Sequence, residues 1–212
     1  MNDTLMDEAL STPVPSSLRE QHLAVTRQAI LRAARALFAE RGFAKSSVKA
    51  IAERAGVAIQ TVYATFGSKA GVAMALVDLI DQEAGVLDVV EKLARLDDPA
   101  ALARAFARLR RQIREHCGDI VRTLREGAAL EPELAAAWQE GMRRRHAGLE
   151  RLTARLDAQH ALKDGLTPAR AAAVAAALVT DDVCDVLVDQ RGWTFADYEA
   201  WLGDTLVTLL LR

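Results

Sequence analysis

The chain has 212 residues, 51% hydrophobic and 26% charged, with five prolines and twelve glycines. That is enough to bury a sizeable core, and the composition favours helix. No apolar run approaches the about twenty residues of a membrane span, MNDTLMDEAL lacks the basic-then-apolar order of a secretory signal, and two cysteines, Cys117 and Cys184, are too few for a disulfide framework, so a soluble cytoplasmic protein is expected. The net charge of −2 argues against nucleic acid only until it is divided. Residues 18–70 hold nine Lys/Arg against three Glu, a balance of +6, while the first seventeen residues hold three acids and no base, and the remainder eighteen bases against twenty-three acids. A basic module on an acidic body suits a chain that meets phosphate at one end.

Residues 1–20 carry Ser11, Thr12, Pro13, Pro15, Ser16 and Ser17 without an apolar period, which predicts a mobile tail. Asp3, Asp7 and Glu8 argue against a basic arm for the minor groove. A first helix is predicted from about Leu23 to Arg41, with an apolar stripe of Ile30, Ala33, Ala34, Leu37 and Phe38 and a stop at Gly42.

Next comes SSVKAIAERAGVAIQTVYATFGSK, from Ser46 to Lys69. Val48, Ile51, Ala52 and Ala55 recur at offsets of three and four, the apolar face of a short helix. Gly56 follows, where the helix must stop in a left-handed conformation that glycine enters cheaply. Val57 plugs the turn. Ile59 to Phe66 reads as a second short helix, with Val62 and Phe66 inward and Gln60, Thr61, Tyr63 and Thr65 over the rest of its surface. About eight residues make a helix roughly 12 Å long, a match for a major groove about 12 Å wide. Helix, glycine turn and short polar helix make a helix-turn-helix. Ser46/Ser47 and Ser68 open the two helices that border the reading helix, and free amides at such ends hold phosphate. Lys69 adds charge beside Ser68. Gln60 suits an adenine edge, and Thr65 a base or a thymine methyl. Phe43, Val48, Ile51, Val57, Val62 and Phe66 are assigned to the small core.

A fourth helix is predicted from Ser68 to about Leu96, broken by Asp97-Asp98-Pro99. Pro99 opens the next, with Leu102, Phe106, Leu109 and Ile113, ending near Gly118, and a short helix spans about Asp119 to Gly127. Pro132 opens another, carrying Leu134, Trp138, Met142, Leu149, Leu152 and Leu156, and Lys163-Asp164-Gly165 ends it. Thr167-Pro168, a cap followed by proline at the first helical position, starts a helix to about Gln190. Gly192 stops that one and Thr194 caps the last. The result is an all-α fold of about nine helices, with no strand and no repeat.

One reading helix covers only a few base pairs, and specific affinity needs two, about 34 Å apart on a pseudo-palindrome. The last two helices can pair two copies. The first of them is rich in small residues and carries Val174, Leu178 and Val186. The terminal one is apolar nearly all round, with Trp201, Leu202, Leu206, Leu209 and Leu210. The alternative is that these side chains only close the core of one chain. In the middle, Arg143-Arg144-Arg145 reads as a solvated face, with an acidic ligand or a DNA contact as the alternative, and His146 with Glu150 reads as a surface pair at i, i+4. No metal or cofactor is expected. With no G-x-S-x-G, Walker loop or dinucleotide glycine motif, neither is an enzyme.

At AGVAIQTVYATFGSK the chain resembles the signature of the TetR family of one-component transcriptional regulators, A-G-V-x-x-x-T-x-Y-x-x-F-x-S-K. Gly42-Phe43, Ser46-Ser47-Val48, Ile51-Ala52 and the helix AILRAARALFAERGF fit the same pattern, over roughly residues 25–75. LVDQRGWTFADYEAWLGDTLVTLLL is similar to the last two helices of many such proteins. The resemblance implies phosphate clamps at Thr61 and Tyr63 and a base-contacting Lys49. It implies a four-helix bundle made by the last two helices and their symmetry mates, and repression of a double-stranded DNA operator by a homodimer. It also implies that the middle encloses a small-molecule effector of unknown identity. Candidate pocket residues are then Phe106, Ile113, His116 and Cys117, with Leu124, followed by Trp138, Met142 and His146, and Asp181. Phe, Trp and Met at helical spacing equally suit a plain core. The domains implied are a tail (1–20), a DNA-binding head (21–68) and a regulatory and dimerisation body (69–212). A protein of this fold without an effector, or an activator, is the alternative. The chain departs from the family at Ala58, where a polar residue is common, and alanine forgoes a cap of about 1 kcal/mol.

Overall fold

The computed structural model describes residues 18–212. Of the tail expected over residues 1–20, all but the last three positions lie outside that range. The described residues form ten α-helices and one π-helical turn, without a strand. α1 (Leu18–Arg41), α2 (Val48–Ala55) and α3 (Ile59–Phe66) make the head, and α4 (Lys69–Glu83) leads out of it. The body follows as α5 (Val86–Ala94), α6 (Pro99–Gly127), α7 (Pro132–Ala158), α8 (Pro168–Leu178), α9 (Asp181–Cys184) running into the π-turn Asp185–Gln190, and α10 (Phe195–Leu210).

The sequence punctuation explains most of these boundaries. Ser47, Ser68, Asp98, Thr167 and Thr180 each accept a backbone N–H of the first turn they cap. Thr194 and Asp197 form a reciprocal capping box on α10. Four boundaries differ from expectation. α1 starts at Leu18, about five residues before the expected Leu23, so the last three positions of the expected tail are helical. The single helix expected from Ser68 to Leu96 is two, parted at Gly85 with φ +61°, a conformation that favours glycine. The stop expected near Gly118 is a bend at Cys117 (φ −128°, ψ 15°) within a continuous α6. The helix expected to reach Gln190 ends at Leu178, because the Thr180 hydroxyl accepts from Val183 N–H and starts a new turn.

Two clusters form the core. The first joins the head to the body: Leu37, Ile51, Val62 and Leu76 pack in one cluster with Cys117, Ile120, Leu124 and Leu134. The second joins α6, α7, α8 and α10. Leu202, Leu206 and Leu210, expected at a dimer surface, are 0% exposed within the single chain. They close α10 onto α6, as the alternative reading had it. Gly203 permits the approach, since a Cβ there would lie 3.1 Å from Arg104 Cγ. Arg104–Asp204 and Arg108 and Arg111 with Glu199 lace the seam. Each buried leucine stabilises by about 1.5–3 kcal/mol and each exposed ion pair by about 0–1, so the leucines hold the seam and the charges set its register.

Two contacts fix the head on the body. Arg35 of α1 donates to Glu83 of α4 at 2.5 Å, to both carboxylate oxygens of Asp119 on α6 at 2.5 and 2.6 Å, and to the His116 carbonyl at 2.6 Å. That carbonyl lies beside the bend of α6, where a side chain entering the helical ladder is a known cause of a kink. At the other end of α4, a Cβ on Gly71 would lie 1.9 Å from the Phe66 carbonyl oxygen. The start of α4 therefore seats directly on the end of α3.

Gly71→Ala is expected to destabilise the protein by about 1–3 kcal/mol through this overlap, read as a lower thermal midpoint; an unchanged midpoint would show that the seam yields freely. Burial pushes the Asp119 carboxyl up, but the hydrogen bonds and charge of Arg35 outweigh it and hold the group below its ordinary value. A depressed carboxyl contributes stability above its unfolded pKa of about 3.9 and loses it as pH falls through the folded value. Asp119→Asn should therefore lower the midpoint at pH 7 and lose less than the parent on acidification below about pH 4; parallel pH curves for the two proteins would contradict this.

Candidate nucleic-acid interface

The turn between α2 and α3 is built as its residues dictate. Gly56 takes φ +70°, its N–H donates to Glu53 O, and Val57 N–H donates to Ala52 O at 3.0 Å, closing the last turn of α2. Ala58 supplies no side-chain cap, yet α3 still begins at Ile59, with Thr61 N–H on Ala58 O at 3.0 Å. The reading helix thus occupies the expected register.

Ser47, Lys49, Gln60, Tyr63 and Ser68 are exposed, Tyr63 to 51%. Thr61 is half-buried. Ser47 and Ser68 accept from Ala50 and Gly71 N–H at 3.1 and 3.0 Å, so both helix starts carry an outward-facing cap. Lys49 pairs with Glu53 at 3.9 Å, with 71% of its side chain exposed. Such a pair is weak enough to yield to a phosphate or a base. Gln60 has no hydrogen-bond partner among the described residues.

Three expected contacts change character. Ser46 is 1% exposed, and its hydroxyl meets the Gly42 and Leu37 carbonyls at 2.8 and 3.2 Å. It locks the loop after α1 and cannot reach DNA. Thr65 donates to Thr61 O at 2.7 Å, which leaves its oxygen as an acceptor and its methyl as the remaining means of reading a base. Lys69 Nζ donates to Phe43 O at 3.0 Å and lies 3.9 Å from the Phe43 ring centroid. It ties the start of α4 to the loop after α1, with two of its three donors left. Sequence reasoning missed Arg27, whose guanidinium lies 4.8 Å from the Phe66 ring centroid and steadies the end of α3.

The body holds a partly open cavity of about 550 Å³ between α4, α5, α6 and α7, touched by Asp181. Phe106, Ile113, Leu124, Trp138, Met142 and Asp181 line it as expected. His116 is exposed instead, and its carbonyl serves Arg35. Cys117 is 0% exposed in the core between α1, α4 and α6, where burial and the neighbouring Glu83 push its thiol up to about 12. A thiol that stays protonated is a poor redox sensor. His146 is exposed and borders a shallow surface groove with Glu150. Among the described residues no three metal-ligating side chains converge.

The solvated face expected at Arg143-Arg144-Arg145 holds only for Arg143, 68% exposed beside Glu140. Arg144 crosses to Asp78 and Asp81 of α4 at 2.8 and 2.7 Å, and Arg145 crosses to Asp181 at 3.3 Å. A legible signal existed for Arg145: it continues the apolar stripe of Trp138, Met142, Leu149 and Leu152 at helical spacing. Val77 and Ile80 of α4 line the cavity too, so the helix seated on α3 is also a cavity wall.

These features define a helix-turn-helix head on an all-helical body with a partly open cavity. Residues 30–76 match the profile of the bacterial regulatory proteins, tetR family. In solved structures the similarity of fold extends over 88–90% of the chain. NalD, the secondary repressor of the MexAB-OprM multidrug efflux pump in Pseudomonas aeruginosa, is 26% identical with a TM-score of 0.69, covering 90% of this chain and 98% of its own. SmeT bound to triclosan is 22% identical, with a TM-score of 0.70 over 88% and 92%. A regulator-fold structure from Saccharomonospora viridis in complex with choline is 18% identical, with a TM-score of 0.69 over 89% and 99%. A search of curated protein sequences returns no match. The head, residues 30–76, is thus of the bacterial tetR-family regulatory type, and the chain shares its fold with regulators of that kind.

Gln60→Ala is expected to relax the preference at one base pair per half-site, by about 1–3 kcal/mol, with overall affinity for other duplexes little changed. Selection from randomised duplexes checks this; an identical selected sequence for parent and variant would remove Gln60 from the readers.

Proposed function

We propose that the protein is a ligand-responsive transcriptional repressor that binds a pseudo-palindromic DNA operator as a homodimer. The observation that carries the reading is α3 itself: Gln60 and Tyr63 stand exposed on a short helix between the serine-capped starts of α2 and α4, on a head with a charge balance of +6 over residues 18–70. Gln60 and Thr65 read bases, and Lys49 reaches a guanine. Ser47, Thr61, Tyr63, Ser68 and Lys69 hold phosphate. The protein does this in the cytoplasm and catalyses no reaction. The likeness to NalD, a repressor, supports repression over activation.

The outer face of α8 supports pairing. Ala173, Val174 and Ala177 are exposed and Leu178 half-buried, an unbroken apolar strip. Val186 and Leu209 are 40% and 42% exposed, and Trp201 is half-buried with its ring centroid 6.2 Å from that of Trp193. Exposed apolar side chains of this kind suit a second copy better than water. The cavity favours an effector-controlled protein over one of the same fold without an effector, because its wall includes α4. A ligand changes DNA binding only through unequal affinity for two arrangements of the heads.

Fluorescence anisotropy with a duplex from the chain's own upstream region tests the reading at two salt concentrations. Specific binding that weakens as salt rises is expected; no preference over competitor DNA at low salt would contradict it. Val174→Glu is expected to give a monomer mass in sedimentation with the helical spectrum retained, and to weaken operator binding by about a hundredfold or more, since one head alone keeps only one half-site. A dimer mass for this variant would remove α8 from the interface.

A further inference from the structure

The cavity contains a charge imbalance that an apolar binding site has no use for. Arg110 of α6 and Arg145 of α7 converge on Asp181 at the start of α9. Their side chains are 8% and 9% exposed, and that of Asp181 is 6% exposed. Both guanidiniums donate to the same two acceptors, the Asp181 carboxylate and the Val179 carbonyl, at 3.3–3.4 Å. Those bonds use Nη2 of Arg110 and Nη1 of Arg145. The Nε atoms of both are buried without a partner. Among the described residues, Nη1 of Arg110 and Nη2 of Arg145 also have no hydrogen-bond acceptor.

Two cations therefore share one anion in a place that water barely reaches. Burial and the nearby charge of Arg110 push Arg145 below the ordinary guanidinium value. The Tyr198 hydroxyl, buried close to the same groups, has no partner either, and burial pushes it up to about 12, so it adds no negative charge. Two other arginines nearby have more than one carboxylate each. Arg114 meets Asp185 and Asp189, and Arg144 meets Asp78, Asp81 and Glu140. An unpaired buried charge is strongly unfavourable, and a guanidinium fork with free N–H groups matches a planar oxyanion. Phe106, Ile113, Trp138 and Met142 provide apolar wall in the same cavity.

We propose that the cavity binds an anionic amphiphile, whose single oxyanion head group, a carboxylate in the first instance, supplies the charge that Arg110 and Arg145 lack, and whose apolar body lies along Phe106, Ile113, Trp138 and Met142. The proposal deepens, and rests on, the reading of this cavity as the effector site. It excludes a permanently cationic effector and ranks a neutral one well below its acid counterpart.

Calorimetric titration of the full chain, free of DNA, with sodium decanoate, 1-decanol and decyltrimethylammonium tests it. Decanoate is expected to bind once per chain and on the order of tenfold or more tighter than decanol, the worth of one or two charge-assisted hydrogen bonds; the cation is expected not to bind. Arg145→Met should abolish the preference for acid over alcohol while still binding decanol. Its ligand-free thermal midpoint should stay equal or rise, because Arg110 and Asp181 remain as a neutral pair. Arg145→Lys keeps the charge but loses the fork, and should fall between the two. Equal affinity for acid and alcohol, no binding of decanoate, or a preference that survives Arg145→Met overturns the proposal. Operator anisotropy in parallel separates this from the regulator reading. Decanoate that binds as described but leaves operator affinity unchanged keeps the anion site and removes the effector role. A protein that releases operator equally for decanol and decanoate keeps the effector role and removes the anion site.

Discussion

The contact on which the rest of the molecule depends is the seating of α4 on α3. The Phe66 carbonyl occupies the space where a side chain on residue 71 would stand, and Ser68 N–H donates to that same oxygen at 2.8 Å. Dense packing is bistable rather than smoothly compliant, so a shift of α4 moves the reading helix or unseats it. Lys69 on Phe43 and Arg27 on Phe66 brace the seam from either side. At its far end α4 meets α6 through Glu83 and Arg35, and along its length it meets α7 through Asp78, Asp81 and Arg144. One helix thus touches the reading head, the charged node and the cavity wall. That continuity gives the cavity a physical route to the DNA-facing surface, and it follows from residue contacts alone.

The two ends of the chain solve different problems with similar composition. The head buries a small core and keeps polar side chains on one exposed helix. The body buries leucines of α10 against α6 so completely that they leave nothing for a partner. What remains for a partner is the thinner strip on α8 with Val186 and Leu209. The ion pairs between α6 and α10 are exposed or half-exposed and individually weak, while two of the six arginines that line the cavity, Arg110 and Arg145, are buried and share one carboxylate. Burial, more than the number of charges, separates the arginines that decorate the surface from those left short of a counter-charge.

Local chemistry made the head legible. Gly56 can be read as a left-handed stop, Ser47 and Ser68 as caps and Val62 as core without any knowledge of the rest of the chain, because each signal acts within four residues. Pro99, Pro132, Thr167-Pro168 and Thr194 marked the body helices for the same reason. The errors arose where distant partners decide. Ser46 reads as a helix start, but its hydroxyl goes to carbonyls of α1 and the following turn. Arg144 and Arg145 read as solvent-facing until Asp78, Asp81 and Asp181 arrive from other helices. Leu202, Leu206 and Leu210 have the same periodicity whether they meet α6 or a second copy, so periodicity could not choose. The π-turn after α9 carries no proline or glycine to announce it.

The central claim is that α4 makes cavity occupancy and head position one variable in a paired molecule. Electron-spin distance measurement on Ala39→Cys tests it most directly: Ala39 is exposed on α1 of the head, and Cys117 and Cys184 are buried at 0% and 1% exposure, so the label goes to the introduced site. The account predicts one narrow head-to-head distance in the operator complex and a different mean distance when decanoate fills the cavity. An identical distance distribution in the two states, or no distance between copies at all, would contradict it.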